Sequence, residues 1–151
     1  ASLTFMVGPT KNQFKTISPI LNILGKTIHH IGKFGSGMSV KVLNNFVASC
    51  SVIAVRHVLS EAKNLNISTD QLLEILNCSS GKTWFSENLY SIDWSKESYN
   101  KENTIGILEK DVNSYLDGLQ DAGTETNEAM QNFQKALLKG LQNIPDFPNN
   151  N

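Results

Sequence analysis

Cysteine is scarce in this sequence of 151 residues, and its scarcity argues against several classes of protein. Cys50 and Cys78 form no CxxC pair and no disulfide framework, so a small disulfide-stapled secreted fold is not expected. The three histidines show no metal-ligand spacing with one another or with the cysteines, and no metal site is predicted. A reducing, intracellular compartment, cytoplasmic or mitochondrial, is the expected location.

An excess of one charge is also absent. The 13 basic and 14 acidic residues give a net charge of −1, which provides no bulk attraction to nucleic acid or to anionic lipid. No uninterrupted apolar run approaches the roughly 20 residues that span a bilayer. We therefore expect neither a nucleic-acid partner nor a membrane, and the hydrophobic content of 40% indicates a globular chain.

Residues 1–31 combine strand and helix patterns. A short apolar run, Leu3–Val7, is closed by a Gly-Pro turn and predicts a strand. Apolar residues at three- and four-residue spacing over 12–24 predict an amphipathic helix, which Pro19 should kink or delay. A second strand is expected over 26–31. Because one such unit cannot cover both faces of its strands, this region is interpreted as the remnant of a larger α/β domain.

The pattern from Gly32 onward is typical of helices, so residues 32–151 are predicted to form a helical domain. A long helix is expected to start near Ser36–Ser39 and to continue to about Leu65. About 26 residues at 1.5 Å per residue would reach roughly 39 Å, which is typical of helices that lie between domains or subunits. Its apolar stripe consists of Val40, Leu43, Val47, Cys50, Ala54, Val58 and Leu65, and it is widened by Phe46, Ile53 and Ala62.

The remaining sequence predicts further helices and makes the fold class mainly α. A capping-box pattern, Ser68 to Gln71, marks the start of one of them. The predicted elements are a helix over 71–78, a short helix or turn around 84–90, a polar surface loop over 92–103, a helix over 105–123 and a final helix capped by Thr124 or Thr126. The final helix is expected to point Met130, Phe133, Leu137 and Leu141 inward.

The glycine-rich segment between the two regions nearly matches a phosphate-binding P-loop. Met38 stands where the P-loop has the lysine that neutralises phosphate, and the order of the glycines does not fit the dinucleotide fingerprint. The residues themselves favour a hinge. Lys41 and Asn45 lie one helical turn apart, and Lys110 and Asp111 form a charged pair in a helix. From residue type alone, all four are expected to be solvated surface residues.

Several segments taken together change that interpretation. The segment Gly35–Asn45 closely resembles the GxGxxxKxxNN segment of the β-hydroxyacid dehydrogenases. Ile75–Trp84 resembles the family's ILN-SSG-W stretch, and Ile107–Asp111 resembles its LxxKD motif. Leu3–Gly8 is similar to a late strand of the family's nucleotide-binding domain, and Leu24–Gly32 to the strand that leads into its interdomain helix. The resemblance covers nearly the whole chain, with the motifs in the family's order.

The resemblance implies an enzyme that transfers hydride between a small 3-hydroxy acid and NAD or NADP. Its fold would be an N-terminal Rossmann domain followed by a helical domain of the 6-phosphogluconate dehydrogenase-like type. Lys41 falls on the catalytic lysine, which exchanges a proton with the reacting hydroxyl, and Asn45 falls on the residue that holds the substrate. Gly35 and Gly37 fall in the loop that lets the substrate approach the backbone, and Lys110 falls on a lysine that lines the cofactor cleft.

By this resemblance the chain is the C-terminal part of the enzyme, because it contains neither the dinucleotide fingerprint nor the family's substrate-binding serine–glycine segment. The chain alone is expected to be inactive, and a homodimer is expected. Asn103 stands where family members usually carry phenylalanine. This departure and the absent Rossmann core leave one alternative open: a non-catalytic helical dimerisation or interaction module derived from the family.

Overall fold

The fold is described by a computed structural model that covers residues 3–121, 123 and 125–148. The chain divides into two units, Ala1–Asn44 (unit 1) and Asn45–Asn151 (unit 2). Helix accounts for 62% of the structure, and the sheet in the described part has two strands. The predicted domain boundary between residues 31 and 32 stays a prediction.

Unit 1 contains the expected strand–helix–strand arrangement. Strand β1, Leu3–Val7, and strand β2, Gly25–His30, are parallel, with Phe5 opposite Ile28. Helix α1, Lys11–Leu24, connects them. The helix starts at Lys11 because a capping box between Thr10 and Gln13 satisfies its first amide groups, and it continues through Pro19. The prediction of a delayed start was therefore wrong.

Unit 2 contains most of helix α2, Ser36–Asn64, whose first turns belong to unit 1. The other helices are α3, Thr69–Cys78; α4, Trp84–Glu87; α5, Thr104–Asp121; and α6, Glu128–Gln142. Each corresponds to a predicted helix, with bounds that shift by a few residues. The core of unit 2 is apolar and consists of Phe46, Val52, Val55, Leu59, Leu73, Phe85, Leu89, Ile105, Leu108, Val112, Leu137, Leu141 and Ile144.

Two details of the last helix differ from the sequence prediction. Asn127 caps α6 by accepting a hydrogen bond from the backbone N–H of Met130. Asparagine at this position satisfies the first free amide groups as threonine would, so the assignment to Thr126 was wrong; Thr124 lies outside the described residues. Phe133 is half exposed instead of buried, and it meets the ring of Phe46 edge-on at 5.7 Å.

The side of α2 that faces the core coincides with the predicted stripe only in part: Phe46 and Ala62, which widen the stripe, are buried. The buried side chains of this helix in unit 2 are those of Phe46, Ser49, Val52, Val55, Arg56, Leu59 and Ala62. Val47 and Leu65, from the predicted stripe, are each 68% exposed. Because α2 carries apolar residues on two sides, the helical period alone did not identify the side that faces the core.

The polar loop that follows α4 is held by a buried arginine. Arg56 is fully buried, and its guanidinium donates hydrogen bonds to the backbone carbonyls of Ser95 (2.8 Å), Glu97 (3.0 Å) and Pro145. Burial lowers the pKa of Arg56, and the nearby Asp146 carboxylate partly offsets this effect. The side chain therefore connects α2 to the loop and to the segment after α6.

Helix α2 is also long and apolar enough, by length and composition alone, to cross a bilayer. One such helix is weak evidence for a membrane span, because a long core helix of a soluble protein meets the same criteria. The mean hydropathy of this helix is high although isolated polar residues interrupt it, which is why the sequence shows no uninterrupted apolar run of that length. The expectation that the protein has no membrane partner stays a prediction.

Candidate functional site

The central polar contact of the site joins α2 to α5. The Nδ2 atom of Asn45 donates a hydrogen bond of 2.5 Å to Oδ2 of Asp111. Asp111 is only 7% exposed, and Asn45 is half buried. A short hydrogen bond to an acidic oxygen is among the stronger ones in proteins, and a buried carboxyl group requires such a partner.

Neighbouring core residues fix both ends of this contact. Phe46 follows Asn45 and stacks on Tyr115 of α5 with ring centroids 4.2 Å apart. Val112 follows Asp111 and is fully buried. Ser49, also buried, donates a 2.7 Å hydrogen bond to the backbone carbonyl of Asn45. The amide and the carboxyl group therefore project from helix positions that packing holds in place.

Asp111 is a site residue that the sequence reasoning missed. The sequence places it three residues after Leu108 and four before Tyr115, which is core spacing on a helix. An acidic residue at a core position is unusual and is normally paired. This signal was available, but the charged pair Lys110-Asp111 was interpreted as exposed, which holds only for Lys110.

The other predicted site residues around the start of α2 belong to unit 1. Lys41 is half buried and lies one helical turn before Asn45. Gly35 has a φ of +83°, a backbone conformation that residues with a side chain rarely adopt. Gly37 is buried in the first turn of α2, and a Cβ there would lie 2.2 Å from the carbonyl oxygen of Met6. The resemblance places Gly37 in a loop, whereas the structure places it in α2, directly after the first residue of the helix.

Both glycines line a cavity of about 510 Å³ within unit 1. Its remaining lining is largely apolar and comes from the end of β1, from α1 and from the segment before α2; it consists of Met6, Val7, Gly8, Pro9, Gln13, Ile17, Phe34 and Met38. The glycines keep the backbone close to this space. Among the residues that the structure describes, none that lines the cavity carries a charged side chain that would bind a carboxylate or a phosphate.

Lys110 and Asn103 lie on and before α5, in unit 2. Lys110 is exposed, and its backbone carbonyl accepts a hydrogen bond from Ser114. Asn103 caps α5: its Oδ1 accepts from the backbone N–H groups of Ile105 (3.0 Å) and Gly106 (3.2 Å). Its Nδ2 donates to the carbonyl of Ser98 at 2.9 Å. The asparagine that replaces the family's phenylalanine thus has a local structural role.

Comparison with known proteins identifies the family. Residues 35–144 match the family model described as NAD-binding of NADP-dependent 3-hydroxyisobutyrate dehydrogenase. This match spans most of the chain and includes Lys41, Asn45 and Lys110. The chain belongs to the 3-hydroxyisobutyrate dehydrogenase family, a group within the NAD(P)-dependent oxidoreductases that act on hydroxy acids. The resemblance drawn from the sequence motifs is confirmed.

Individual relatives are also named as 3-hydroxyisobutyrate dehydrogenases. The chain is 32% identical to the probable mitochondrial 3-hydroxyisobutyrate dehydrogenase of Dictyostelium discoideum, over 99% of this chain and 51% of that protein. It is 28% identical to the probable mitochondrial enzyme of Arabidopsis thaliana, over 92% of this chain and 43% of that protein. The chain therefore spans about half the length of these relatives.

A solved structure has the same fold. The 3-hydroxyisobutyrate dehydrogenase of Mycobacterium tuberculosis, described with L-serine, superposes with a TM-score of 0.73 at 21% identity. The superposition covers 97% of this chain and 52% of that one. At this identity the likeness concerns the fold, and it confirms the mostly helical architecture with a small sheet.

Proposed function

We propose that this chain supplies the helical half of an NAD(P)-dependent dehydrogenase that acts on a small 3-hydroxy acid. The single observation that carries the proposal is the family match over residues 35–144. The Asn45–Asp111 contact supports it, because it places an amide that the family's motif assigns to the substrate on a fixed support. In this proposal the helical half has the 6-phosphogluconate dehydrogenase-like fold, over residues 32–151, and residues 1–31 belong to the nucleotide-binding domain.

The proposed chemistry requires a proton partner. Hydride leaves the carbon of an alcohol only as the hydroxyl proton is removed, and a positioned amine can remove it. Lys41 is the proposed partner, on α2 one turn before Asn45. Asn45 can donate and accept hydrogen bonds without carrying charge, which suits it to orient a hydroxy acid. Gly35 and Gly37 are the proposed places where the substrate approaches the backbone.

The helical half offers one matching group for the cofactor. Lys110 is an exposed cation next to Asp111 on α5, and an ammonium group fits the phosphate or amide oxygens of a dinucleotide. When bound, the nicotinamide ring accepts or returns the hydride. The proposed role of Lys110 is to hold NAD or NADP, whose main binding site would lie in the other half of the enzyme.

Two further parts of the proposal concern assembly and location. A homodimer is supported by the second apolar face of α2, on which Val47 and Val58 are exposed. A mitochondrial location is supported by the names of the relatives from Dictyostelium and Arabidopsis; a cytoplasmic location is the other intracellular possibility that the sequence composition left open.

The decisive experiment is substitution of Lys41 in the full-length protein. We expect Lys41→Ala and Lys41→Met to lower kcat on 3-hydroxy acids by roughly 10²–10⁴-fold, the usual contribution of general acid–base catalysis. Lys63→Ala is the matched control, since Lys63 is exposed in the last turn of the same helix. Turnover near the wild-type rate in both Lys41 variants would show that the lysine assignment is wrong.

The asparagine at position 103, where family members usually carry phenylalanine, favours the alternative function, a non-catalytic interaction module. Its side chain is committed to capping α5, in place of an aromatic ring. The sequence that precedes residue 1 in the gene discriminates between the two proposals. A strand followed by G-x-G-x-x-G and a helix would favour the enzyme, whereas an unrelated sequence would favour the module. Alone, the 151-residue chain should bind NAD only weakly in a titration.

A further inference from the structure

We propose that Asp111 is a positioning residue that sets the orientation of the Asn45 amide and thereby the way in which a hydroxy acid can bind. This inference deepens the proposed function and depends on it for the identity of the ligand. It does not follow from the LxxKD motif, because the resemblance to the family implies a role for Lys110 and none for Asp111. It starts from the contact between the two side chains.

The contact determines which amide atom faces α5. An asparagine side chain can exchange its oxygen and nitrogen by a half turn, because the terminal torsion is broad and nearly two-fold. A carboxylate only accepts hydrogen bonds. At 2.5 Å from Oδ2 of Asp111, the amide NH2 group is attracted, whereas the amide oxygen would be repelled. The chemistry therefore selects one of the two orientations.

Burial makes this selection strong. Asp111 is 7% exposed, so water competes little for its oxygens, and the local dielectric strengthens the interaction. The neighbouring residues Val112 and Phe46 are packed in the core and keep the two helices in register. A rotated amide would replace an attractive contact by a repulsive one beside a buried carboxylate.

The amide NH2 group and the amide oxygen of Asn45 therefore keep fixed positions. One N–H is committed to Asp111, and the amide oxygen and the second N–H keep defined positions relative to it. A hydroxy acid offers a hydroxyl that can donate and a carboxylate that only accepts. A fixed amide distinguishes these two groups, whereas an amide that rotates would accept the ligand in two orientations, only one of which is productive.

The first test needs no catalytic activity. In the 151-residue chain, the side-chain NH2 group of Asn45, assigned by its loss in Asn45→Leu, should show two proton resonances in an NMR spectrum, and that of the proton bonded to Asp111 should be shifted downfield by the strong hydrogen bond. We expect Asp111→Asn to return the shifted resonance toward the usual position of asparagine amides, because an amide in place of the carboxylate accepts either orientation. Asp117→Asn, an exposed acidic residue on the same helix, should leave them unchanged. Unchanged Asn45 resonances in Asp111→Asn would overturn the proposal.

The second test measures kinetics in the full-length enzyme. Asp111→Asn should raise KM for the hydroxy acid about 10-fold, comparable to the loss of one strong hydrogen bond, while KM for the dinucleotide stays the same. Asp111→Glu, which retains the acceptor, should recover part of the loss. A variant with a lower denaturation midpoint and an unchanged KM would show a merely structural role. If the wild-type enzyme oxidises no 3-hydroxy acid, the proposed function fails, and the NMR result alone decides the role of Asp111.

Discussion

Single polar residues in unit 2 form hydrogen bonds of different kinds across the fold. Asp111 has a hydrogen bond from an amide, and Arg56 donates to backbone carbonyls of three residues. Tyr90, on the surface, donates a hydrogen bond of 2.5 Å to Oδ1 of Asp70. Each of these contacts joins segments that are distant in the sequence, so polar groups as well as apolar ones define the packing.

The first residue-scale prediction concerns the ionisation of Tyr90. Its pKa is raised to about 12, first by desolvation and then by the hydrogen bond and the charge of Asp70. Because the folded pKa lies above the ordinary value of about 10, this contribution to stability is complete below pH ~10 and is lost as the pH rises toward 12. A tyrosinate absorbance titration measures the pKa directly.

Asp70→Asn separates the two causes of this shift. Removing the charge should lower the pKa of Tyr90 part of the way toward 10, because the desolvation remains. Tyr90→Phe should remove the corresponding dependence of stability on pH in urea unfolding at pH 9–12. The Glu74→Gln variant is the control, since Glu74 is an exposed acid on the same helix. An unchanged tyrosinate titration in Asp70→Asn would contradict the assignment.

At the scale of elements, the start of α5 depends on one side chain. Asn103 satisfies two backbone N–H groups at the helix start and also bonds to the loop before it. We expect Asn103→Ala to lower the free energy of unfolding by about 1 kcal/mol, within the range of roughly 0.5–2 kcal/mol for N-cap residues. Chemical denaturation of the 151-residue chain measures this change.

Two variants control the interpretation of the cap. Asn103→Asp keeps an acceptor at the helix start, so its loss of stability should be smaller than that of the alanine variant. Asn132→Ala replaces an exposed asparagine in α6 and should leave the stability equal or slightly higher, because alanine is the better helix former. Equal losses for Asn103→Ala and Asn132→Ala would mean that the cap contributes nothing specific.

The existence of the elements was predictable, but the orientation of α2 was not. Local signals identified β1, the long helix and the capping box at Ser68, because strands, caps and helical periods depend on nearby residues. The buried face of α2 depends on what α5 and α6 present to it. Gly140 of α6, for example, leaves room for Ile53, which lies 3.0 Å from where a Cβ would be. No single-helix pattern contains that information.

At the scale of the whole molecule, the site was predictable only as a set of candidates. The order of the motifs led to Lys41, Asn45 and Lys110, and the family match covers all three. Their arrangement was not predictable, because Asn45 and Asp111 are 66 positions apart. The pairing of these residues depends on helix packing, and the burial of Asp111 was hidden by its exposed neighbour Lys110.

The final prediction concerns the second apolar face of α2 and the proposed homodimer. Val47 is 68% and Val58 42% exposed, and their separation of eleven positions equals about three helical turns, so both lie on one line along the helix. If a second copy covers this line, burying each valine contributes about 1.5–3 kcal/mol. Light scattering should then give twice the chain mass for the wild type and the single mass for the Val47→Glu/Val58→Glu variant.

The double variant should remain folded, because its two substitutions lie on the exposed side of α2 and leave the core side chains Val55 and Leu59 in place. Circular dichroism checks this condition. Ala136→Glu, at an exposed position of α6, is the control and should keep the mass of the wild type. A wild-type chain that is monomeric at every concentration tested, or a double variant that stays dimeric, would exclude this face as the dimer surface, since two charged side chains cannot be buried there without partners.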